Sequence, residues 1–224
     1  QFSVLPSKGG IMADDIILKG LKAYSVVEAE DKAMILQKYL DEILLFNPVL
    51  KLVGEKDREE IIYRHILDSA SSYPVFSSLT KKGDKIADLG SGAGLPGVVL
   101  AILFPDRNFT LIDRMTRRIG FLRGVKAKLD LKNVEIIAQD ISTVEDHFDC
   151  VTSRAFRPLS LVVEDMVKLA PEAILYKGTK KNINEELDEL RAMGYTFSSS
   201  IYPVTSIGEK GERNIVVVNS WRKA

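Results

Sequence analysis

The sequence is poor in the residues that bind metals and form disulfides. Its 224 residues include one cysteine, Cys150, and two histidines. One cysteine cannot close an internal disulfide, and so few Cys and His side chains argue strongly against a Cys/His metal site. We therefore expect a protein without a metal, working in a reducing, cytoplasmic environment.

Long apolar runs and an excess of charge are also missing. No run approaches the roughly 18 apolar residues that a membrane-spanning helix needs, and 31 Lys and Arg residues balance 31 Asp and Glu residues. The composition, 46% hydrophobic and 28% charged, is typical of a globular protein with a sizeable core. It excludes a disordered chain, a collagen-like chain and a strongly basic histone-like protein, and we expect no membrane association.

The spacing of apolar residues divides the chain into three segments. Residues 1–11 show no periodic pattern, and we interpret them as a leader or an added remnant. Residues 12–80 carry apolar residues at three- and four-residue spacing, which predicts two to four helices with a break at Pro48. In residues 81–224 short apolar runs alternate with amphipathic segments, which predicts a separate α/β domain.

The alternating segments of residues 81–224 predict a doubly wound, mostly parallel sheet of seven strands. No helix is predicted between the last two strands, so they should form a C-terminal antiparallel hairpin. Ligands of such sheets bind at the carboxyl ends of the strands. The predicted strands are 85–89, 108–113, 133–138, 149–153, 173–177, 196–204 and 214–219, and the predicted helices are 95–104, 116–129, 159–169 and 182–193.

A glycine-rich loop, residues 88–97, follows the first predicted strand. Its G-x-G-x-G spacing permits a sharp turn and close approach of a ligand to the main chain. Leu95 stands where a dinucleotide fingerprint needs its third glycine, and no Gly-Lys-Ser/Thr follows, so dinucleotide and P-loop phosphate sites are both disfavoured. Asp88 precedes the first glycine by two residues, where it could hold the amino-acid end of a cationic sulfonium ligand. The glycines are Gly90, Gly92 and Gly94.

Polar residues also follow the second and third strands. Asp113 ends the second strand, where a carboxylate can accept both hydroxyls of a ribose; a helix N-cap is the alternative. Asp140, Ile141 and Ser142 follow the third strand, where an adenine would lie; a capped turn is the alternative there. With the glycine loop, these positions are typical of a class I S-adenosylmethionine-dependent methyltransferase.

Further motifs narrow this resemblance. Residues 33–218 are similar to the bacterial small-subunit ribosomal RNA guanine-N7 methyltransferase family, also called glucose-inhibited division protein B. The resemblance implies a Rossmann-like class I methyltransferase domain with an N-terminal helical extension, S-adenosyl-L-methionine as cofactor, and methylation of one guanine in 16S rRNA. The motifs are, in order, Arg64-His65-Ile66-Leu67-Asp68-Ser69, the loop 88–97, Arg117-Arg118-Ile119-Gly120-Phe121-Leu122, Ser153-Arg154-Ala155-Phe156 and Lys177-Gly178.

The loop and the resemblance together assign roles to individual residues. We expect His65, Arg154 and Lys177 at the catalytic centre, as polar groups facing cofactor or RNA. A salt bridge at a strand end is the alternative for Arg154 and Lys177. The expected RNA-binding residues are Arg117, Arg118, Arg123, Lys177 and Arg213, with a merely solvated helix face as the alternative for the first three. The expected cofactor-binding residues are Asp88, Gly90, Gly92, Gly94, Leu95, Asp113, Asp140, Ile141, Ser142 and Arg154.

The chemistry of guanine N7 agrees with this set of residues. N7 has an unprotonated lone pair, so its methylation needs alignment and exclusion of water but no general base. Cys150 lies in a predicted strand and is expected to be a buried core residue, not a nucleophilic thiolate. The expected partner is 16S rRNA or the small ribosomal subunit, bound by a monomer. A methyltransferase for a small molecule or protein, and a nucleotide-binding scaffold without catalysis, remain the alternatives.

Overall fold

The computed structural model describes residues 13–205, 207–208 and 211–223, so the segment interpreted as a leader, 1–11, lies outside the described residues. Seven strands form one sheet with the order β3-β2-β1-β4-β5-β7-β6. The first five strands are parallel, and β7 is antiparallel to both β5 and β6. The predicted fold class and C-terminal hairpin are therefore confirmed. The strands are β1 (Lys85–Leu89), β2 (Asn108–Ile112), β3 (Val134–Ile137), β4 (Cys150–Arg154), β5 (Glu172–Lys177), β6 (Tyr195–Pro203) and β7 (Asn214–Lys223).

The helices cover both faces of the sheet. The N-terminal helices belong to the same hydrophobic cluster as α6 and α7, whereas α8 and α9 belong to a second cluster. Side chains alternate along a strand, so Ile86 of β1 joins the first cluster and Ala87 the second. The helices are α1 (Ala13–Ala23), α2 (Ala29–Leu50), α3 (Arg58–Ile61), a π-helical turn (Ile62–Leu67), α4 (Asp68–Ala70), α5 (Tyr73–Leu79), α6 (Gly97–Leu103), α7 (Thr116–Lys128), α8 (Val163–Leu169) and α9 (Lys180–Ala192).

The expected helix break at Pro48 is wrong, because α2 continues through this residue to Leu50. Proline removes one backbone N–H and is costly mainly in a helix interior, but Pro48 lies in the last turn. The following turn is held by the Asn47 side chain, which donates to the Glu55 carbonyl at 2.8 Å and accepts from the Val53 N–H at 2.9 Å. The division into 12–80 and 81–224 stays a prediction, although the two parts share one core cluster.

Candidate active site

Two cavities meet at the carboxyl edge of the parallel strands. The first, of about 360 Å³, is lined by the glycine loop and the ends of β2 and β3, and we call it the glycine-loop cavity. The second, of about 590 Å³, is lined by the ends of β4 and β5, and we call it the Arg154 cavity. Ala155, Phe156 and Arg157 line both, so this short segment after β4 is the wall between them.

The glycine-loop cavity contains four of the residues expected to bind the cofactor: Gly90, Asp113, Asp140 and Ile141. They follow three different strands and come together because the carboxyl ends of parallel strands meet at one edge. Arg118, expected to bind RNA, also lines this cavity. Met115, which the sequence did not indicate, lines it as well.

The glycine loop has a shape that requires glycine. Gly90 has a φ of +69° and lies against the Phe156 ring so closely that a Cβ there would overlap it. Gly94 has a φ of +93°, and a Cβ there would be 2.5 Å from Cγ2 of Val98. Tyr39 of α2 donates a buried 2.6 Å hydrogen bond to the Ala93 carbonyl, so the N-terminal helices also fix the loop.

Asp113 accepts hydrogen bonds from the backbone on both sides of the cavity and also lines it. Its Oδ2 accepts the Gly92 N–H at 2.9 Å, and its Oδ1 accepts the Met115 N–H just before α7 at 2.8 Å. Arg118 is 3.4 Å from the same Oδ2. A carboxylate oxygen can accept more than one hydrogen bond. The side chain therefore supports the loop and the start of α7, and still lines the cavity.

Asp88 is a buried carboxylate with one oxygen unsatisfied. Its Oδ2 accepts the Gly97 N–H at 3.0 Å, whereas Oδ1 has no hydrogen-bond partner among the described residues. Burial raises the pKa of the Asp88 carboxyl to about 7, against the effect of the Gly97 hydrogen bond. A ligand that carries positive charge, such as the sulfonium and ammonium groups of S-adenosyl-L-methionine, would favour the ionised form of this buried carboxyl.

The other residues expected to bind the cofactor act indirectly or lie outside this cavity. Ser142 donates both its N–H and its hydroxyl to Asp140 Oδ1, at 3.2 and 3.0 Å, and these bonds hold the pKa of Asp140 below its usual value. Leu95 is a buried core residue. Asp88, Gly92, Gly94, Leu95 and Ser142 are not in the cavity lining, and Arg154 lines the neighbouring cavity.

The Arg154 cavity gathers three of the predicted cationic residues, Arg154, Lys177 and Arg213. Lys177 Nζ is 2.7 and 3.0 Å from the two carboxylate oxygens of Glu186 on α9. Arg213 Nε donates to Asp68 Oδ1 at 3.2 Å. The sequence had not indicated Glu186, since nothing in the pattern of α9 shows that it faces β5.

Arg154 is held by a chain of polar contacts from the N-terminal helices. Its Nη1 donates to Asp68 Oδ2 at 3.1 Å and to the Arg64 carbonyl at 3.0 Å, and its Nη2 is 2.9 Å from His65 Nδ1. His65 Nε2 is in turn 2.5 Å from Glu55 Oε2. His65 therefore contacts Arg154 but is not in the lining of either cavity, and its place at the catalytic centre stays a prediction.

The three arginines of α7 that are expected to bind RNA lie in different surroundings. Arg118 lines the glycine-loop cavity, Arg117 lines a separate groove of about 460 Å³ between α2 and α7, and Arg123 is exposed. Their binding to RNA stays a prediction. Cys150 is buried in β4, as expected, and burial raises the pKa of its thiol.

Neither a membrane-spanning helix nor a cluster of metal-binding side chains occurs in the described part of the chain. Within residues 13–205, 207–208 and 211–223, no helix is long and apolar enough to span a membrane. In the same ranges, no group of three or more His, Cys, Asp or Glu side chains is placed to hold a metal ion.

Comparison with solved structures places this site in a known fold. The ribosomal protein L11 methylase of Lactobacillus delbrueckii subsp. bulgaricus superposes with a TM-score of 0.54 at 10% identity, covering 70% of this chain and 79% of that one. The TYW2 protein of M. jannaschii, solved in complex with AdoMet, gives a TM-score of 0.50 at 14% identity, covering 70% and 77%. These likenesses show the class I methyltransferase fold.

Comparison with sequences is more specific. The Ribosomal RNA small subunit methyltransferase G of Treponema denticola is 34% identical over 93% of this chain and 95% of its own length. Residues 32–216 match the GidB family, described as rRNA small subunit methyltransferase G. The chain therefore belongs to the GidB family of rRNA small subunit methyltransferases G.

Proposed function

We propose that this protein methylates N7 of a guanine in 16S rRNA, with S-adenosyl-L-methionine as methyl donor. The observation that supports the proposal best is the pair of cavities that share the wall 155–157. One has the glycine loop and acidic residues suited to a nucleoside with a cationic amino-acid end, and the other has the cations suited to a nucleic acid base or phosphate. Family membership supports the same function.

The glycine-loop cavity is the proposed cofactor site. S-adenosyl-L-methionine, when bound, supplies a methyl group on a positively charged sulfur. Asp113 would accept the ribose hydroxyls, Asp140 and Ile141 would contact the adenine, and Gly90 allows the ligand to approach the backbone. Asp88, behind the loop, would favour the positive end of the ligand through its negative charge.

The Arg154 cavity is the proposed guanine site. Arg154 and Lys177 carry the hydrogen-bond donors that suit guanine O6 and phosphate oxygens. Guanine N7 needs no deprotonation, so these residues have only to hold the base and exclude water, and neither has to act as a base. A ribosomal RNA substrate would place the reaction in the cytoplasm, and we propose that the protein acts as a monomer.

The test is methylation of small ribosomal subunits that lack the modification. The protein is incubated with methyl-labelled S-adenosyl-L-methionine, and the RNA is digested and searched for labelled 7-methylguanosine. We expect label in that nucleoside, and at least a tenfold loss with Arg154→Ala or Lys177→Ala, as expected for removing a charged hydrogen bond of about 1.5–3 kcal/mol. Label in protein or small molecules instead would favour the other substrate classes.

A further inference from the structure

The contact between Arg154 and His65 is a hydrogen bond in only one form of the imidazole ring. Arginine has five N–H donors and no acceptor, so His65 Nδ1, 2.9 Å from Nη2, has to be the acceptor. Nδ1 must then be unprotonated, and the proton of the neutral ring is on Nε2. Nε2 in turn donates to Glu55 Oε2, at 2.5 Å.

Glu55 is well placed to keep this tautomer. Its side chain is only 14% exposed, and it also pairs with Arg64 at 2.8 Å. Burial raises the pKa of Glu55, but the hydrogen bond from His65 and the nearby Arg64 outweigh it and lower the pKa below its usual value. The carboxylate is therefore charged at neutral pH and acts as an acceptor only.

The surroundings of His65 disfavour a second proton on its ring. Burial and then the positive charge of Arg154 lower its pKa, while Glu55 and Asp68 oppose that change. A second proton would have to go onto Nδ1, which faces the Arg154 guanidinium, so protonation would break the contact. Asp68 completes the arrangement, since its two oxygens hold Arg154 Nη1 and Arg213 Nε.

We propose that Glu55 is a positioning residue for methyl transfer: through the Nε2–H of His65 it fixes Nδ1 as an acceptor and so orients the Arg154 guanidinium in the wall of the Arg154 cavity. Three of the five Arg154 N–H groups are taken up by Asp68, the Arg64 carbonyl and His65. Of the two that remain, the Nε–H is buried without a partner among the described residues, and one N–H of Nη2 is left for a ligand. A free guanidinium would sample several orientations, whereas the held one presents a single donor geometry.

The experiment uses the two imidazoles of the chain as probes. His65 and the exposed His147 are distinguished by nitrogen-15 NMR of the full-length protein, with His147 as internal reference. In the wild type we expect His65 in the Nε2–H tautomer with an unprotonated Nδ1. In Glu55→Gln the titration midpoint of His65 should fall, because the carboxylate that favours the protonated ring is gone. In Glu55→Ala the single tautomer should be lost, and His147 should not change.

The same variants are then assayed for methylation of small subunits, which tests the part of the inference that rests on the proposed function. We expect Glu55→Ala to lower the single-turnover rate about tenfold or more, while cofactor affinity stays within about twofold. Glu60→Gln, an exposed neighbour that removes the same charge, should match the wild type in both assays. Circular dichroism checks that each variant folds.

Each outcome has a distinct meaning. An Nδ1–H tautomer in the wild type, or unchanged His65 signals in Glu55→Ala, would overturn the inference whatever the activity. An unchanged methylation rate in folded Glu55→Ala would overturn the positioning role. If the wild type does not methylate small subunits at all, the proposed substrate fails, and the NMR result still decides whether Glu55 sets the tautomer.

Discussion

The pKa of the Asp88 carboxyl is much higher in the folded protein than in the unfolded chain. Asp88 is 1% exposed, and its Oδ1 has no partner among the described residues. Burial raises its pKa from 3.8 to about 7, so the folded protein holds a proton there that the unfolded chain releases above about pH 4. The contribution of this group to stability is present at low pH and is lost as pH rises towards 7.

Asp88→Asn should remove this pH dependence. Between pH 5 and pH 8 we expect the wild type to lose roughly 3 kcal/mol of unfolding free energy relative to the variant, because about two pH units separate pH 5 from the folded pKa. Urea unfolding of both proteins, without cofactor, at several pH values measures the difference. If the unfolding free energies of the two proteins differ by the same amount at every pH in this range, a pKa of about 7 for Asp88 is wrong.

The site residues that the sequence could indicate are those that directly follow strands. Asp113, Arg154 and Lys177 lie at or just after strand ends, and strand ends can be located from apolar runs and turns. Glu55 and Glu186 could not be found in this way. Their partners are distant in sequence or on another element, so only the packed fold shows that Glu55 contacts His65 and Glu186 contacts Lys177.

At the scale of elements, the sequence predicted the strands within one or two residues at most ends but not every helix boundary. Strand bounds follow from short apolar runs, whereas helix ends depend on individual hydrogen bonds. The helix expected from residue 95 begins at Gly97, whose N–H is bound by Asp88. The helix expected to stop at Pro48 continues to Leu50, because Asn47 secures the turn after it.

Helix α7 contains two glycines that its backbone does not require. A Cβ at Gly120 or Gly124 would have no atom outside the local helix backbone within 4 Å. Glycine inside a helix costs about 0.5–1 kcal/mol relative to alanine. We expect Gly120→Ala with Gly124→Ala to raise the unfolding free energy by about 1–2 kcal/mol in total, measured by urea unfolding.

The matched control is in the glycine loop. Gly94→Ala should destabilise the protein, because a Cβ at φ +93° is strained and would also meet Val98. If the α7 variant is instead no more stable than the wild type, the prediction that alanine suits both positions of this helix is wrong.

At the scale of the whole molecule, one cluster of buried side chains joins the N-terminal helices to the sheet. Leu36 and Tyr39 of α2 share this cluster with Val99 of α6 and Ile86 of β1. The single tryptophan, Trp221, lies in the other cluster, where its Nε1 donates to the Ala170 carbonyl at 2.8 Å. Because the sheet joins both clusters, the helical region should not unfold by itself.

This arrangement predicts one unfolding transition. Far-ultraviolet circular dichroism reports all helices, including those of residues 13–79, whereas Trp221 fluorescence reports the opposite face of the sheet. The two urea midpoints should coincide. Two separate midpoints would show that residues 12–80 form an independent unit.

RNA binding is also a property of the whole molecule, because 31 basic and 31 acidic residues leave no net attraction to phosphate. Local groups must supply it, and most cations near the cavities are engaged: Lys177 with Glu186, Arg118 with Asp113. Among the described residues of α7, Arg117, Arg123 and Lys126 have no ion pair, and of these three only the two arginines are exposed. These two side chains are therefore the most available to phosphate on this helix, because binding phosphate would break no existing ion pair.

Arg117→Gln with Arg123→Gln should weaken binding to small ribosomal subunits and make it less sensitive to salt. Removal of one phosphate contact reduces the slope of log affinity against log salt by about 1, so the slope should fall by about 2 in the double variant.

Lys19→Gln, which removes an exposed cation from α1, should leave the slope unchanged. Cofactor affinity should be equal in all three proteins, since neither arginine lines the glycine-loop cavity. An unchanged slope in the double variant would mean that this face of α7 is only solvated, and that the RNA is held by the cations around the Arg154 cavity alone.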